Sequence, residues 1–145
     1  MHADMGINLT LSLPSPVDFI RLRSVTYWGA IEIGPTQKAL EQSLMGVCLY
    51  KEDELIGMAR VIGDGVFNVY IQDVVVKPSF QGQGLGRKML TTLTAHMKQE
   101  LPANCTVGLM AADGQDAFYS QLGFNARPYN GYGAGMSAQL KDLSS

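Results

Sequence analysis

The sequence predicts an α+β domain in which helices cover a mixed β-sheet. Three observations carry this prediction: an alternating segment near the start, a run of three strand-like segments joined by short polar turns, and a long amphipathic segment between two strand-like ones. The predicted order of elements is β-α-α-β-β-β-α-β-α-β-β. The 145 residues, 46% of them hydrophobic, suffice for one domain over residues 1–145.

The first three elements follow from periodicity and capping residues. Residues 7–13 alternate apolar and polar side chains, which is typical of a half-buried strand. Ser15 and Pro16 predict the start of a helix with Ser15 as its cap, and Gly29 breaks that segment. A second short helix is expected from Pro35. Its apolar side would be formed by Ala39, Leu40, Leu44 and Met45.

The middle of the chain predicts an antiparallel meander. Residues 47–50, 55–62 and 66–76 have the character of strands. Polar turns at 52–54 and 63–65 join them, and the second turn has the glycine and aspartate chemistry of a hairpin.

The second half of the chain predicts two helices and three strands. A long helix is expected over 84–99, with one apolar stripe, followed by a strand over 105–110 that is parallel to the strand before the long helix. A short helix is predicted at 116–122, and two final strands at 124–127 and 136–140.

The composition excludes several classes of function. The formal net charge of −2 provides no basic field for nucleic acid. No apolar run is long enough for a membrane span, and residues 1–6 lack a signal-peptide pattern, so we expect a soluble cytoplasmic protein. Cys48 and Cys105 lie far apart in apolar runs, which indicates core residues in a reducing compartment and predicts no metal site.

The most informative segment is the glycine run at residues 81–86, Gln-Gly-Gln-Gly-Leu-Gly. It lies between the apolar run 74–76 and the long predicted helix. Glycines let the backbone approach a ligand closely, and a helix N-terminus offers unpaired N–H groups and a positive dipole end. The arrangement predicts an anion site, most naturally for phosphates.

Two nucleotide-binding templates fail at this run. Both a Walker A loop and a dinucleotide fingerprint starting at Gly82 would need a glycine where Arg87 stands. A fingerprint starting at Gly84 would need one at Met89. ATP, GTP and NAD are therefore disfavoured as ligands.

The run fits the pattern Q/R-x-x-G-x-G/A, and residues 73–87 resemble the pyrophosphate loop of the GCN5-related N-acetyltransferases. A second block, residues 117–124, resembles the Y-x-x-L-G-F block of the same family. The resemblance implies acetyl-CoA as cosubstrate, transfer of an acetyl group to an amine, and a cofactor between splayed fourth and fifth strands.

The resemblance also implies which residues bind the cofactor. The pyrophosphate would be held, mainly through backbone N–H groups, by Gln81, Gly82, Gln83, Gly84, Leu85, Gly86 and Arg87. The pantetheine arm would pair with the backbone of Val74, Val75 and Val76. A backbone N–H of that strand would polarise the thioester carbonyl.

Two side chains are candidates for catalysis. Tyr119 aligns with the family's tyrosine beside the sulfur, and a phenol, with an ordinary pKa of about 10, can protonate the leaving thiolate. The alternative is a core tyrosine on a short helix. Asp73 interrupts an apolar strand, and a buried acid needs a partner. It would orient the substrate ammonium or accept its proton through water, or else pair with a core residue.

The resemblance implies an acceptor site built from the first two helices and the loop between the last strands, and Gln72, beside Asp73 in the predicted strand 66–76, is added to it. Ordinary packing is the alternative for the aromatic residues. The candidates are Tyr27, Trp28, Gln72 and Tyr132. Aromatic faces would suit an arylalkylamine or a cation. In polyamine-type members of the family the position of Gln72 belongs to an acidic pair, so its identity here argues against a polyamine.

These observations together predict an acetyl-CoA-dependent N-acetyltransferase acting on a primary amine of a small molecule such as an amino acid, polyamine or arylalkylamine. A protein lysine or N-terminal acetyltransferase and a non-catalytic CoA-binding sensor are the alternatives. Ala112 stands where the N-terminal enzymes commonly have asparagine, which weakens that alternative. A homodimer is possible, because this fold often dimerises through its C-terminal strands.

Overall fold

The computed structural model describes residues 6–144, so most of the segment examined for a signal peptide, Met1–Met5, lies outside the described residues. The chain divides into two compact units, Met1–Leu109 and Met110–Ser145. Whether they form the single domain predicted from the sequence stays a prediction.

The first unit contains a five-stranded sheet and three helices. The elements are β1 (Ile7–Thr10), α1 (Pro16–Arg23), α2 (Ile33–Glu41), β2 (Met45–Lys51), β3 (Glu54–Gly63), β4 (Asn68–Val76), a 3-10 turn (Pro78–Phe80), α3 (Leu85–Glu100) and β5 (Thr106–Gly108). The strand order is β1-β2-β3-β4-β5, with β5 parallel to β4 and all other pairs antiparallel. The α+β class with a mixed sheet, the meander and the parallel fifth strand are confirmed.

The sheet is buried on both faces. One face packs against α1 and α2 in an apolar cluster of Phe19, Leu22, Leu40, Cys48, Leu55, Met58 and Val75. Val47 and Leu49, on either side of Cys48, are also fully buried. Because successive strand residues point to opposite faces, these two belong to the other face. The helix α3 contacts β2, β3 and β4. Its buried stripe consists of Leu85, Met89, Leu90, Leu93 and Met97.

The first two helices differ in extent from the prediction. Ser15 caps α1 as predicted, since its hydroxyl accepts a hydrogen bond from the Asp18 N–H at 3.1 Å. The predicted inclusion of Leu44 and Met45 in the second helix is wrong. The Leu44 N–H donates instead to the Val61 carbonyl at 2.8 Å, which draws the chain into the sheet, and Met45 begins β2.

The turn between β3 and β4 is held by one carboxylate. Oδ1 of Asp64 accepts hydrogen bonds from the N–H groups of Val66, Phe67 and Asn68 at 2.7, 2.8 and 3.0 Å. Gly63 precedes it with φ of 136°, where a Cβ would lie 2.3 Å from the Asn68 carbonyl oxygen. The glycine is therefore required for the close approach of the two strands.

The second unit contains α4 (Asp116–Gln121) and a 3-10 turn (Leu140–Asp142). The final strands predicted at 124–127 and 136–140 are wrong: the described part of this unit contains one isolated antiparallel bridge, Tyr129 to Tyr132, and no strand. Pro128 has no N–H to donate, and most of the residues from 125 to 144 are exposed. Because these residues have no buried face, a strand here would have nothing to pack against.

The two cysteines occupy different environments. Cys48 is buried in β2, as predicted for a core residue. Cys105 is only half-buried and precedes β5 rather than lying in it, so its assignment to an apolar strand is wrong. Across residues 6–144, no group of three or more histidine, cysteine or acidic side chains could hold a metal ion. Within the same range, no helix combines the length and the apolar character needed to cross a membrane.

Candidate active site

The glycine loop begins where β4 ends. The Lys77 N–H donates to the Ile56 carbonyl at 2.7 Å, and a 3-10 turn follows. The side-chain amide of Gln81 donates from Nε2 to the Val76 carbonyl at 2.8 Å. The first residue of the predicted loop is thus tied back to the last residue of the strand.

Two glycines give the loop its shape. Gly82 has φ of 78° and Gly84 has φ of 79°, both in the left-handed region that glycine adopts readily. A Cβ at either position would meet open space, so neither glycine is required by protein packing. Successive N–H groups in such a turn can converge on an anion.

Helix α3 adds its N-terminus to this loop. Gly84 is the N-cap residue, and it has no side chain to bond the first N–H groups of the helix. The first turn contains no acidic residue, and the exposed Arg87 and Lys88 lie within it. Backbone donors, helix dipole and two cations therefore favour an anion at this point.

Strand β4 carries a β-bulge just before the loop. Val75 pairs with Met58 and Gln72 pairs with Arg60, so three steps along β4 match two steps along β3. The extra residue lies at Asp73 or Val74, and Asp73 has φ of 55°. A bulge bends the strand and redirects its side chains, and bulges are frequent beside active sites.

The bulge places the Asp73 carboxylate between two arginines. Its Oδ2 lies 2.6 Å from Nε of Arg60, and its Oδ1 lies 3.9 Å from Nε of Arg23. The Asp73 side chain is only 9% exposed. Asp73 was predicted from the sequence as a site residue, whereas neither arginine was. Arg60 could have been found by the same reasoning, because it is a charge inside the apolar strand β3.

Each arginine makes further contacts. Arg60 donates from Nη1 to the Ser43 hydroxyl at 3.1 Å, and its guanidinium lies 5.9 Å from the centre of the Phe19 ring. Arg23 donates from Nη1 to the Gly29 carbonyl at 2.9 Å, and its guanidinium lies 5.7 Å from the centre of the Trp28 ring. Trp28 is thereby linked to the Asp73 cluster.

Two more predicted acceptor residues belong to the first unit. Gln72 is half-buried and pairs with Arg60 across the ladder, so both side chains share one face of the sheet. Tyr27 is 86% exposed. The structure therefore brings Trp28, Gln72 and Asp73 together around Arg23 and Arg60, and leaves Tyr27 in solvent.

Tyr119 is buried in the second unit. Its ring makes edge contacts with Phe118 and Phe124, at centroid distances of 5.1 and 6.1 Å. Burial raises the pKa of the phenol above its ordinary value of 10.0, so the hydroxyl keeps its proton at neutral pH. That state suits a proton donor and also a core tyrosine, and the catalytic role of Tyr119 stays a prediction.

Tyr132 lies in the C-terminal loop and is 55% exposed. The Arg127 guanidinium lies 5.2 Å from its ring centre, and the Tyr129 ring lies 5.4 Å away. Nε of Arg127 also donates to the Gly133 carbonyl at 2.7 Å. These contacts account for the local turn, and a role for Tyr132 in acceptor binding stays a prediction.

The glycine loop, the bulged strand and the mixed sheet define the class of protein. The model of the Acetyltransferase (GNAT) family matches residues 18–124, and the chain belongs to that family.

Curated proteins named as acetyltransferases are similar to part of this chain. "Histone acetyltransferase TAP1" from Glycine max is 43% identical over 79 residues, which are 54% of this chain and 33% of that protein. "Serotonin N-acetyltransferase 2, chloroplastic" from Oryza sativa subsp. japonica is 42% identical over 73 residues, 50% of this chain and 36% of that protein. The matched region spans about a third of the length of the first curated relatives.

Solved structures agree with the sequence relatives. The crystal structure of a Staphylococcus aureus protein of unknown function, described as a "Probable Acetyltransferase", superposes with a TM-score of 0.81 at 31% identity. The superposition covers 92% of this chain and 98% of that one.

Proposed function

We propose that this chain is an acetyl-CoA-dependent N-acetyltransferase that acts on a primary amine of a small molecule. The observation that carries the proposal is the loop with left-handed Gly82 and Gly84, which opens α3 directly after the bulged β4. In a chain of this family, such a loop is suited to a pyrophosphate because it presents backbone N–H groups and no acid.

The residues present fit acetyl-CoA, which supplies the activated acetyl group when bound. The loop residues 81–87 would hold its pyrophosphate. The backbone of residues 74–76 would align its pantetheine arm, because the extended strand provides N–H and C=O groups that the valine side chains lack.

The two predicted catalytic side chains receive different roles. We assign Tyr119 as the proton donor to the leaving thiolate, since burial keeps its phenol protonated. Asp73 already faces the guanidinium groups of Arg60 and Arg23. We therefore assign it to positioning these groups rather than to accepting the proton of the amine.

The acceptor class rests on the surroundings of Asp73. Trp28 offers an aromatic face beside the cluster, which suits an amine with an apolar or aromatic body. The name of the rice relative refers to serotonin and is in keeping with such an amine. The name of the soybean relative refers to histone, and protein lysine acetylation is the alternative.

Location and assembly are also proposals. We propose a cytoplasmic protein, which is in keeping with Cys48 and Cys105 being unpaired with each other. We also propose a homodimer. The described C-terminal segment exposes Met136, Leu140 and Leu143, which an association of two copies could cover.

The test is a thiol-release screen with acetyl-CoA and purified chain. The panel contains polyamines, amino acids, arylalkylamines, aminoglycosides and a lysine-containing histone peptide. Release that depends on one of the small amines supports the proposal, and release with the peptide alone supports protein acetylation. Tight CoA binding in calorimetry with no release across the panel would identify a sensor instead.

A further inference from the structure

The cluster around Asp73 holds more positive than negative charge. Arg23 and Arg60 both face this one carboxylate, and their side chains are only 18% and 16% exposed. Within residues 6–144, no other carboxylate forms an ion pair with either arginine, and Asp18, which also lies on α1, pairs with Arg21 instead. Among the described residues, the cluster therefore carries one more positive than negative charge. A largely buried charge without a counter-ion is costly, so a place exists for an anion.

The two arginines are not equally satisfied. Arg60 makes a direct hydrogen bond to Asp73 and another to Ser43, at 2.6 and 3.1 Å. Nε of Arg23 lies 3.9 Å from Oδ1 of Asp73, which is too long for a hydrogen bond. The guanidinium of Arg23 is therefore less well neutralised by Asp73 than the guanidinium of Arg60. Its planar fork suits a carboxylate or a phosphate.

Arg23 is also placed where an acceptor would be expected. It ends α1, and its guanidinium lies over Trp28 in the segment that follows. Asp73, its neighbour across the cluster, comes directly before the three valines proposed to align the pantetheine arm. An anion at Arg23 would therefore lie close to Asp73, the residue directly before that part of the strand.

We infer that the acceptor amine also carries an anionic group, a carboxylate or a phosphate, and that Arg23 binds this group beside Trp28. The inference rests on the proposed function and narrows its substrate class. It favours amino acids and phosphorylated amines over polyamines and simple arylalkylamines. Asp73, which accepts a hydrogen bond from Arg60, attracts the Arg23 guanidinium from 3.9 Å.

The experiment compares matched amines that differ in the anionic group. Phenylalanine is paired with phenethylamine for the carboxylate, and O-phosphoethanolamine with ethanolamine for the phosphate. Binding to the full chain in the presence of CoA is measured by calorimetry, and turnover is measured separately by thiol release. We expect at least one anionic member to bind about tenfold or more tightly than its neutral partner, as a charge-assisted bond would give.

Variants assign the effect to Arg23. Arg23→Gln should remove the preference for the anionic member, and Arg23→Lys should restore part of it by returning the charge without the fork. Arg21→Gln is the matched control, because Arg21 lies on the same helix with its side chain 65% exposed. It should leave the preference unchanged. Thermal unfolding of each variant verifies that the fold persists.

The outcomes separate this inference from the proposed function. Binding that prefers the anionic member and depends on Arg23, without thiol release, supports the inference and contradicts the enzyme. Thiol release confined to neutral amines supports the enzyme and overturns the inference. Equal losses for both members of a pair in Arg23→Gln, or no binding of either anionic amine, would also overturn it.

Discussion

At Asp73, the backbone conformation forms the β-bulge and the side chain forms the ion pairs with the two arginines. Its left-handed φ of 55° belongs to the bulge in β4, and aspartate tolerates that region better than most residues with a Cβ. Its carboxylate faces Arg60 and Arg23. The acid in an apolar strand is explained by these partners, which lie 13 and 50 positions away in the sequence.

Substituting Asp73→Asn tests how far the cluster depends on this charge. Asparagine keeps the shape and the backbone conformation but leaves two guanidinium groups without a counter-ion. We expect a loss of about 3 kcal/mol in the free energy of unfolding, because breaking a buried ion pair strands its partner. Urea unfolding measures the change.

Asp18→Asn is the control for this prediction. Its partner Arg21 is largely exposed, so the loss should stay within about 1 kcal/mol. Equal and small losses in the two variants would show that the Asp73 cluster contributes no more than a surface ion pair.

The proposed role of Tyr119 as proton donor predicts how kcat responds to substitution and to pH. If its phenol protonates the thiolate, Tyr119→Phe should lower kcat by about 100-fold while the KM for acetyl-CoA is unchanged. Because burial raises the pKa of Tyr119, a decline of kcat caused by its ionisation should appear at more alkaline pH than for an ordinary phenol. Steady-state kinetics across pH provides the measurement.

Tyr50→Phe serves as its control, since burial also raises the pKa of the Tyr50 phenol, which lies on β2 and has no assigned role in binding or catalysis. We expect kcat to be retained in that variant. Full activity in Tyr119→Phe would show that Tyr119 is a core residue without a catalytic role.

Among the secondary-structure elements, β4, the glycine loop and α3 follow one another along the chain and together form the proposed pyrophosphate site. The strand ends at Val76, Gln81 ties the loop back to that residue, and Gly84 opens the helix. Leu85 is buried at the first helical position and anchors the loop to the core. These elements are formed by consecutive residues, so the strand–loop–helix motif could be predicted from the types of residue in the sequence.

Local signals and the order of the strands were predicted well, whereas strand register and side-chain contacts between distant segments were not. Ser15 as a cap and the apolar stripe of α3 were predicted because both depend on neighbouring residues. The bulge at Asp73 depends on its pairing with β3, and a count of residues along β4 does not reveal it. The two final strands predicted at 124–127 and 136–140 do not form, since Pro128 cannot donate to a ladder and the residues beyond it are exposed.

The loop can be tested by adding a side chain where the fold leaves room. In Gly84→Val, the new side chain would stand in open space at the anion site, and we expect CoA binding to be lost. The left-handed backbone should cost about 1–2 kcal/mol in stability, so the fold survives. Calorimetric titration with CoA and thermal unfolding measure the two effects.

Gly65→Val is the matched control for backbone strain. Gly65 has φ of 75° in the turn at the other end of β4, with only ordinary contacts to Leu44. It should lose similar stability and bind CoA normally. Retained binding in Gly84→Val would refute the placement of the pyrophosphate.

For the whole molecule, the two units carry different parts of the proposed reaction. The glycine loop, the bulge and the arginine cluster belong to the first unit, and Tyr119 belongs to the second. The family match over residues 18–124 includes both sets of residues. The cofactor side of the reaction is thus supported by motif, geometry and family, and the acceptor side by the charge and aromatic groups around Arg23.

The most direct test of the central claim is the stoichiometry of a single reaction. Purified chain is incubated with acetyl-CoA and the most active amine of the screen. Thiol release and the N-acetylated amine, quantified by mass spectrometry, are then followed together. We expect one thiol for each N-acetyl product and no release without the amine. Release of thiol at the same rate without any amine, or with no acetylated product, would contradict it.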